Sequence, residues 1–265
     1  MASNGIKWAA TDEDILFKSL AMQGNKRKTV VRPDRRLVYE PYKFDRGPKS
    51  LSLIFRDKNL SDIISFNYNS WEQRAAADDL MAHFRRIAGN IKPGTDKPLV
   101  TIAMDGENAW EFFADNGRTF FETLYEHLDD DDELEAVTIS NHLGLKHKRK
   151  TINTIFPASW INHNFKIWIG EEQDNVSWSY LDKVRKDLVK FTKEFHKDSK
   201  RDGDKLALAW RELYIAEGSD WNWWYGGKAH NGGDNPFDGL YRTHLKNVYK
   251  FLKKPIPGFL KISIA

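Results

Sequence analysis

The stretch from Leu99 to Phe113, LVTIAMDGENAWEFF, constrains the fold of this chain more than any other part of the sequence. Five of the six residues from Leu99 to Met104 are apolar, and Lys97 and Pro98 stand directly before them. A short run this apolar predicts a strand that is buried on both faces, as in a parallel sheet. The acidic residues that follow it therefore lie at the C-terminal end of a strand, where α/β folds usually place their functional groups.

The chain changes character near residue 145. Before it, strand-like runs alternate with amphipathic helical patterns, and the runs are Ile6 to Ala10, Leu51 to Phe55, Leu99 to Met104 and Val137 to Ser140. This alternation predicts an α/β fold with parallel strands. After residue 150, apolar residues recur at spacings of three and four, as in Trp178, Leu181, Val184 and Leu188, and predict helices.

Composition excludes several classes of protein. The chain has 265 residues with 41 basic and 38 acidic side chains, and this net charge of +3 is too small to indicate a nucleic-acid or membrane partner. The absence of cysteine excludes disulfides, thiolate metal sites and a cysteine nucleophile. The sequence shows neither an apolar run of about 20 residues nor a signal peptide, so we expect a cytoplasmic protein.

Three of the predicted strands end close to an aspartate, namely Asp12, Asp57 and Asp105. Carboxylates that share one edge of a sheet can cleave a glycosidic bond, hold a hard cation such as magnesium, or cap the helices that follow. We favour capping for Asp12, because it directly precedes a predicted helix. For Asp57, which has Arg56 beside it, structural and functional roles remain equally open.

Asp105 is the strongest candidate for chemistry among the three aspartates. Gly106 follows it and lets the backbone approach a ligand, and Glu107 adds a second acid within reach. We therefore count Asp105, Glu107 and Asp57 as candidate site residues.

The segment from Ser219 to Gly227, SDWNWWYGG, contains Trp221, Trp223, Trp224 and Tyr225. Residues so close together cannot all face one core, so we expect some of these rings to be exposed. Exposed aromatic faces beside polar residues suit sugar rings, whereas buried ones would only hold helices together. Both interpretations carry equal weight on composition alone.

A second segment, SWINHNFKIWIGEEQDN, has the same mixture of tryptophans and polar residues, with Trp160 and Trp168 as its large rings. His163 within it has no partner at a spacing typical of metal ligands. We therefore expect no metal site and no cofactor.

Several long motifs in order resemble glycoside hydrolase family 57, and they are similar to its amylopullulanase and α-amylase members. These motifs are MDGENAWEFF, NGRTFFETLYEHL, SWINHNFKIWIGEEQDNVSW, AEGSDWNWWYGG and FDGLYRTHLKNVYKFL, and the likeness extends from about Gly5 to Leu252. The resemblance implies a partial (β/α) barrel over residues 1–145 and an α-helical bundle over residues 146–265 that completes the substrate cleft.

The resemblance also implies an activity, namely the retaining hydrolysis of α-glucans such as maltooligosaccharides. By the family's pattern, Asp105 is the general acid/base. Trp160 and the residues from Asp220 to Tyr225, which include Trp221, Trp223 and Trp224, correspond to positions that face the substrate.

The nucleophile of the family is a glutamate on a strand just before the stretch that resembles GIKWAATDE, and only Met1 to Asn4 precede that stretch here. We therefore expect a truncated or split member that is inactive alone, with an upstream N-terminal half chain as a partner. An uncovered sheet edge beside Ile6 to Ala10 would accompany this. The alternative is a non-catalytic glucan-binding or structural remnant.

Overall fold

A computed structural model describes residues 1–23, 34–45, 50–91, 97–106, 110–145, 149–194, 200–226 and 236–264. The chain divides into two compact units, Met1–His163 and Asn164–Ala265. Among the described residues, no helix combines the length and the apolar character that a membrane span requires.

The first unit contains a four-stranded sheet in the order β1-β3-β2-β4. Its strands are β1 (Trp8–Asp12), β2 (Tyr42–Phe44), β3 (Leu51–Arg56) and β4 (Lys150–Ile152). β1 is parallel to β3 and β2 is parallel to β4, but β2 and β3 are antiparallel. The α/β class is confirmed. The expectation that all the strands are parallel is wrong for β2 and β3. The chain between these two strands is too short for the crossover that a parallel pair requires.

The individual strand predictions had different outcomes. The strand at Leu51 is confirmed, and the first strand lies two residues later than predicted. Residues 99–104 form no strand, although Leu99 N donates to Tyr39 O at 2.8 Å and Asp57 N donates to Thr101 O at 2.8 Å. The run at Val137 is not a strand either, because the Thr138 side chain accepts a hydrogen bond from Asn141 N and caps a helix.

β1 is the terminal strand of the sheet order, so the predicted sheet edge is confirmed for the described residues. Ile6, just before it, and Ala10, within it, are exposed. A strand at the edge of a sheet presents backbone groups that another strand can pair with.

The α-helices in the described part of the first unit are α1 (Glu13–Gln23), α2 (Lys58–Phe66), α3 (Gln73–Gly89), α4 (Arg118–Asp129) and α5 (Ile139–Gly144). α2 and α3 bury Ile64 and Leu80 in one core with Phe120 of α4. α1 contributes Leu16 to a second core, in which it packs with Phe55 of β3. The second core includes Leu53 and Phe55 of β3, and the candidate site lies at the C-terminal end of this strand.

The second unit is helical in its described part. It contains α6 (Glu172–Glu194), α7 (Lys200–Ala216), the short α8 (Asp220–Trp223) and α9 (Pro236–Phe251). The predicted stripe of α6 is confirmed, since Leu181, Val184 and Leu188 are buried against Leu245 of α9.

Candidate functional site

A pocket of about 200 Å³ lies at the C-terminal ends of the parallel strands β1 and β3. It is lined by Ala10, Thr11, Arg56, Ala103, Met104, Asp105 and Trp160. The structure therefore brings together two of the predicted site residues, Asp105 and Trp160, which are 55 positions apart in the sequence.

Asp105 is exposed at the end of a segment without regular secondary structure. The segment is nevertheless fixed, because Ala103 N donates to Ser61 Oγ at 3.2 Å and Thr101 O accepts from Asp57 N at 2.8 Å. The side chain of Asp105 is thus accessible to a ligand while the backbone that carries it is anchored to α2 and to the end of β3.

Asp57 is buried and fully engaged by the protein. Its carboxylate caps α2 by accepting from Leu60 N at 3.0 Å, and it also accepts from Tyr39 Oη at 2.7 Å and from Arg35 at 3.1 Å. The cation that pairs with Asp57 is Arg35 rather than the adjacent Arg56. The geometry of Asp57 favours its structural role, and contact with a substrate would require displacing one of these groups.

Glu13 binds the same arginine and was not singled out by the sequence. Arg35 donates to both of its oxygens, at 2.7 and 3.0 Å, and Lys58 N donates to Oε2 at 3.1 Å. Burial raises the pKa of Glu13, although the hydrogen bond from Lys58 N and the charge of Arg35 act in the opposite direction. Burial together with the bond to Asp57 raises the pKa of Tyr39, so its phenol remains a hydrogen-bond donor.

Asp12 is completely buried and has two roles. Its Oδ1 accepts from Asp14 N at 3.0 Å in the first turn of α1, which confirms the predicted capping. Its Oδ2 accepts from Arg56 Nε at 2.9 Å. This ion pair, which joins the ends of β1 and β3, has no local sequence signal because 44 positions separate the two residues.

Asp12, Asp14 and His163 are the residues of the described structure that could hold a metal ion, since their ligand atoms all lie within 4.8 Å of one another. His163 Nε2 lies 3.2 Å from Asp12 Oδ1 and 2.9 Å from Asp14 Oδ2. The spacing of residues in the sequence does not indicate this group, because about 150 positions separate His163 from both aspartates. Arg56 and Lys58 already balance the two carboxylates, so a cation would have to compete with them.

Trp160 forms the aromatic wall of the pocket. The guanidinium carbon of Arg56 lies 4.7 Å from the centroid of its ring, which is within the range of a cation–π contact. Arg56 Nη1 also donates to Ala103 O at 3.1 Å. One buried arginine therefore contacts both the aromatic wall and the segment that carries Asp105.

In the second unit, most of the predicted aromatic segment is packed against other residues. Trp221 donates from Nε1 to Ile215 O at 3.0 Å, and its ring contacts Tyr241. Trp224 stacks on Phe237 with the ring centroids 4.6 Å apart and the planes 3° from parallel. For Trp221 and Trp224, the structure therefore favours the interpretation that the rings hold helices together.

Trp223 differs from its neighbours because it is 41% exposed, which confirms that some rings of this segment reach the surface. Its ring lies 5.9 Å from that of Trp168, so two tryptophans from separate segments lie side by side. Asp220 is exposed at the start of α8. Glu107 lies outside the described residues.

Asp174 in the first turn of α6 is an acid that the sequence analysis did not select. It is 1% exposed, and its Oδ1 has no hydrogen-bond partner among the described residues. Burial, together with the charge of Glu171, raises the pKa of Asp174 to about 6.

Comparison with known proteins shows which family model the sequence matches and which solved structures share the fold. The sequence model of glycosyl hydrolase family 57 matches residues 1–156. No relative is found among curated protein sequences.

Three solved structures illustrate the fold. A GH57-type branching enzyme from Pyrococcus horikoshii has a TM-score of 0.67 at 16% identity, with 94% of this chain and 48% of that chain covered. A GH57 branching enzyme from Thermococcus kodakaraensis, solved in complex with glucose, has a TM-score of 0.70 at 14% identity, with 93% and 52% covered. An α-amylase from Thermotoga maritima has a TM-score of 0.61 at 15% identity, with 98% and 58% covered. The chain thus shares their fold and spans about half of their length.

Proposed function

The chain belongs to glycoside hydrolase family 57, and we propose that it acts on α-linked glucans with retention of configuration, in the manner of an amylopullulanase or α-amylase. The names of the solved neighbours, which are branching enzymes and an α-amylase, support this substrate class. A neighbour solved with glucose further supports a sugar ligand.

The observation that carries the proposal is the shared pocket of Asp105 and Trp160. Asp105 serves as the general acid/base, which protonates the leaving glycosidic oxygen and later removes a proton from the incoming water or sugar hydroxyl. Its exposure at the end of an anchored segment supports this role. Trp160 offers an aromatic surface for the apolar face of a sugar ring.

The aromatic segment of the second unit supplies further sugar contacts in this proposal. Trp223 is its most exposed ring and Asp220 its exposed acid. Trp221 and Trp224 hold the segment in place. Glu107, two positions after Asp105 in the sequence, remains a proposed substrate contact.

Retaining hydrolysis also requires a nucleophilic carboxylate, at about 5 to 5.5 Å from the acid/base. Asp12 and Asp57, at the neighbouring strand ends, are buried in ion pairs, so a sugar does not reach them. We propose that the nucleophile comes from an upstream N-terminal half chain that pairs with the edge of β1. In this arrangement residues 1–145 form part of a β/α barrel and residues 146–265 form its helical domain.

The test is an assay of the purified chain on maltooligosaccharides and amylopectin, alone and after addition of the polypeptide encoded upstream. We expect turnover only with both polypeptides, and we expect Asp105→Asn to abolish it. Asp130→Asn, which changes an exposed aspartate at the end of α4, is the matched control and should keep full activity. Turnover by the chain alone would contradict the split arrangement and would identify a glutamate of this chain as the nucleophile.

The second candidate function is a non-catalytic glucan-binding module. The observation that favours it is the pair formed by the exposed Trp223 and the half-buried Trp168 in the second unit. This pair does not depend on the presence of a nucleophile. Glucan binding without turnover under both assay conditions would support this alternative.

A further inference from the structure

Arg56 is a cation in the lining of the pocket, and several hydrogen bonds and ion pairs hold it in place. It stands at the last position of β3, and only 6% of its side chain is exposed. Its Nε donates to Asp12 Oδ2 at 2.9 Å, its Nη1 donates to Ala103 O at 3.1 Å, and its Nη2 lies 3.3 Å from Asp62 Oδ1. Three different segments are therefore bound by one planar group.

The two carboxylates compensate the burial of this charge. An unpaired guanidinium in such a position would be strongly unfavourable, whereas a paired and hydrogen-bonded one is tolerated. Asp14 N and His163 Nε2 in turn hold the carboxylate of Asp12. Because Asp12 is fixed, the guanidinium that it binds is also fixed in orientation. The arginine is thus prearranged before any ligand enters the pocket.

The guanidinium of Arg56 lies over the ring of Trp160, with its carbon 4.7 Å from the ring centroid, and Trp160 is half-buried in the pocket lining. A cation held over one face of an indole ring helps to fix the position of the ring and leaves its other face for a ligand. The stabilisation is directional, because the planar guanidinium matches the ring in a way that a lysine ammonium does not.

The bond to Ala103 O acts on the catalytic segment. Ala103 stands two residues before Asp105, in a stretch that forms no strand with its neighbours. Its position depends on a few hydrogen bonds, of which the bond from Arg56 is one and the bond from Ala103 N to Ser61 Oγ is another. Loss of the arginine would therefore loosen the backbone just before Asp105.

We propose that Arg56 is a positioning residue that couples Trp160 to Asp105, so that the sugar platform and the acid/base hold one fixed separation. This inference rests on the proposed function of the pocket and adds a residue to it. Catalytic groups have to be held within a fraction of an ångström of productive geometry, which a shared anchor provides.

The first test measures the coupling without any sugar. The chain has 10 tryptophans, so nitrogen-15 labelling of the whole chain gives a countable set of indole signals together with the backbone amide signals. The indole signal of Trp160 is identified by its loss in Trp160→Phe. In Arg56→Lys, which keeps the charge, we expect the Trp160 indole signal and the Asp105 backbone amide signal to shift. Arg242→Lys is the matched control, because this arginine of the second unit is also largely buried and also bound to a carboxylate and a carbonyl, and it should leave both signals in place.

A second variant covers the case in which Arg56→Lys does not fold. Trp160→Leu keeps every ion pair of Arg56 and removes only the stacked ring. If the arginine couples the two residues, the Asp105 amide signal shifts in Trp160→Leu as well. A folded variant of either kind that leaves the Asp105 signal unchanged would overturn the proposal.

The third measurement is a double-mutant cycle for maltooligosaccharide affinity by calorimetry. We expect Arg56→Lys to weaken binding by about 3- to 10-fold in the wild-type background, and to have little further effect in Trp160→Leu. Additive losses would mean that the arginine acts separately from Trp160, and would overturn the coupling. A wild-type chain that binds no sugar would contradict the proposed function, while the spectroscopic result would still decide the coupling.

Discussion

The two units of this chain each contain a sequence cluster of like residues, and in each the structure separates packed members from an exposed one. In the first unit, Asp12 and Asp57 are buried in ion pairs at strand ends while Asp105 is exposed. In the second unit, Trp224 lies against Phe237 while Trp223 is 41% exposed. The residue type is the same within each cluster, so the type alone does not determine its role.

The difference between the units is in what holds the packed members. The carboxylates are held by Arg35 and Arg56, which are charged groups from other segments, and the tryptophans are held by stacking and by one bond to a carbonyl. Removing a buried charge leaves its partner unpaired, whereas removing a packed ring leaves a cavity. The two units should therefore respond differently to substitution.

The largest expected effect is at Asp57. Asp57→Ala removes the cap of α2 and leaves Tyr39 Oη and one arm of Arg35 without their acceptor. We expect the free energy of unfolding to fall by about 3–4 kcal/mol, measured by urea denaturation at pH 7. Asp105→Ala, at the exposed member of the cluster, should change it by less than about 1 kcal/mol. Equal losses in the two variants would remove the distinction between the packed and the exposed carboxylates.

The next effect is at Trp221 in the second unit. Trp221→Ala removes a ring that contacts Tyr241 and a bond to Ile215 O, so we expect a loss of about 2–3 kcal/mol. Trp223→Ala should cost less than about 1 kcal/mol, because part of its ring is exposed. Thermal unfolding of both variants beside the wild type gives the ranking, and a larger loss in Trp223→Ala would reverse our assignment of packed and exposed rings.

A smaller, pH-dependent effect is expected at Asp174. Its pKa rises from 3.8 to about 6 on folding, so between these pH values the folded state binds more protons than the unfolded state. The free energy of unfolding therefore decreases as pH rises from about 4 to about 6, and above that the full cost of a buried charge remains.

Asp174→Asn removes this charge and keeps a side-chain oxygen. We expect the variant to be more stable than the wild type at pH 8, by on the order of 2 kcal/mol, and the difference to disappear near pH 4. Asp182→Asn, on the exposed face of the same helix, is the matched control for the loss of one acidic side chain. A difference that stays constant between pH 4 and pH 8 would show that the effect is not one of ionisation.

Local sequence patterns predicted the long helix α6, although they missed the short helix α5. The spacing of Leu181, Val184 and Leu188 identifies a helix face directly, because all the information lies within a few turns. β2 and β4 have only three residues each and carry no recognisable pattern of their own. They are strands because of pairing with segments elsewhere in the chain, which propensity does not encode.

The candidate site follows the same rule. Its exposed acid was predicted, since Asp105 follows an apolar run and precedes a glycine. The contacts of Arg56 with Asp12, Ala103 and Trp160 were not predicted, because they join residues that are 44 to 104 positions apart. Polar networks between the ends of strands depend on the topology of the sheet, which the spacing of residues in the sequence does not reveal.

The smallest expected effect on stability is that of Trp223→Ala. This variant tests the contrast between exposed and packed tryptophans through sugar binding. Trp223→Ala should leave the fold intact and weaken maltooligosaccharide affinity by about 3- to 10-fold, because an exposed ring beside Trp168 offers a flat apolar face to a sugar. Trp224→Ala is the matched control, since the same ring is removed from a site where it stacks on Phe237. It should lower the unfolding temperature and leave the affinity of the folded protein nearly unchanged.

The affinities of both variants are measured by titration calorimetry, at a temperature well below the unfolding temperature of the less stable variant. If the affinity falls in Trp224→Ala and not in Trp223→Ala, exposure in this segment has no connection with sugar binding, and the aromatic cluster only holds the helices together.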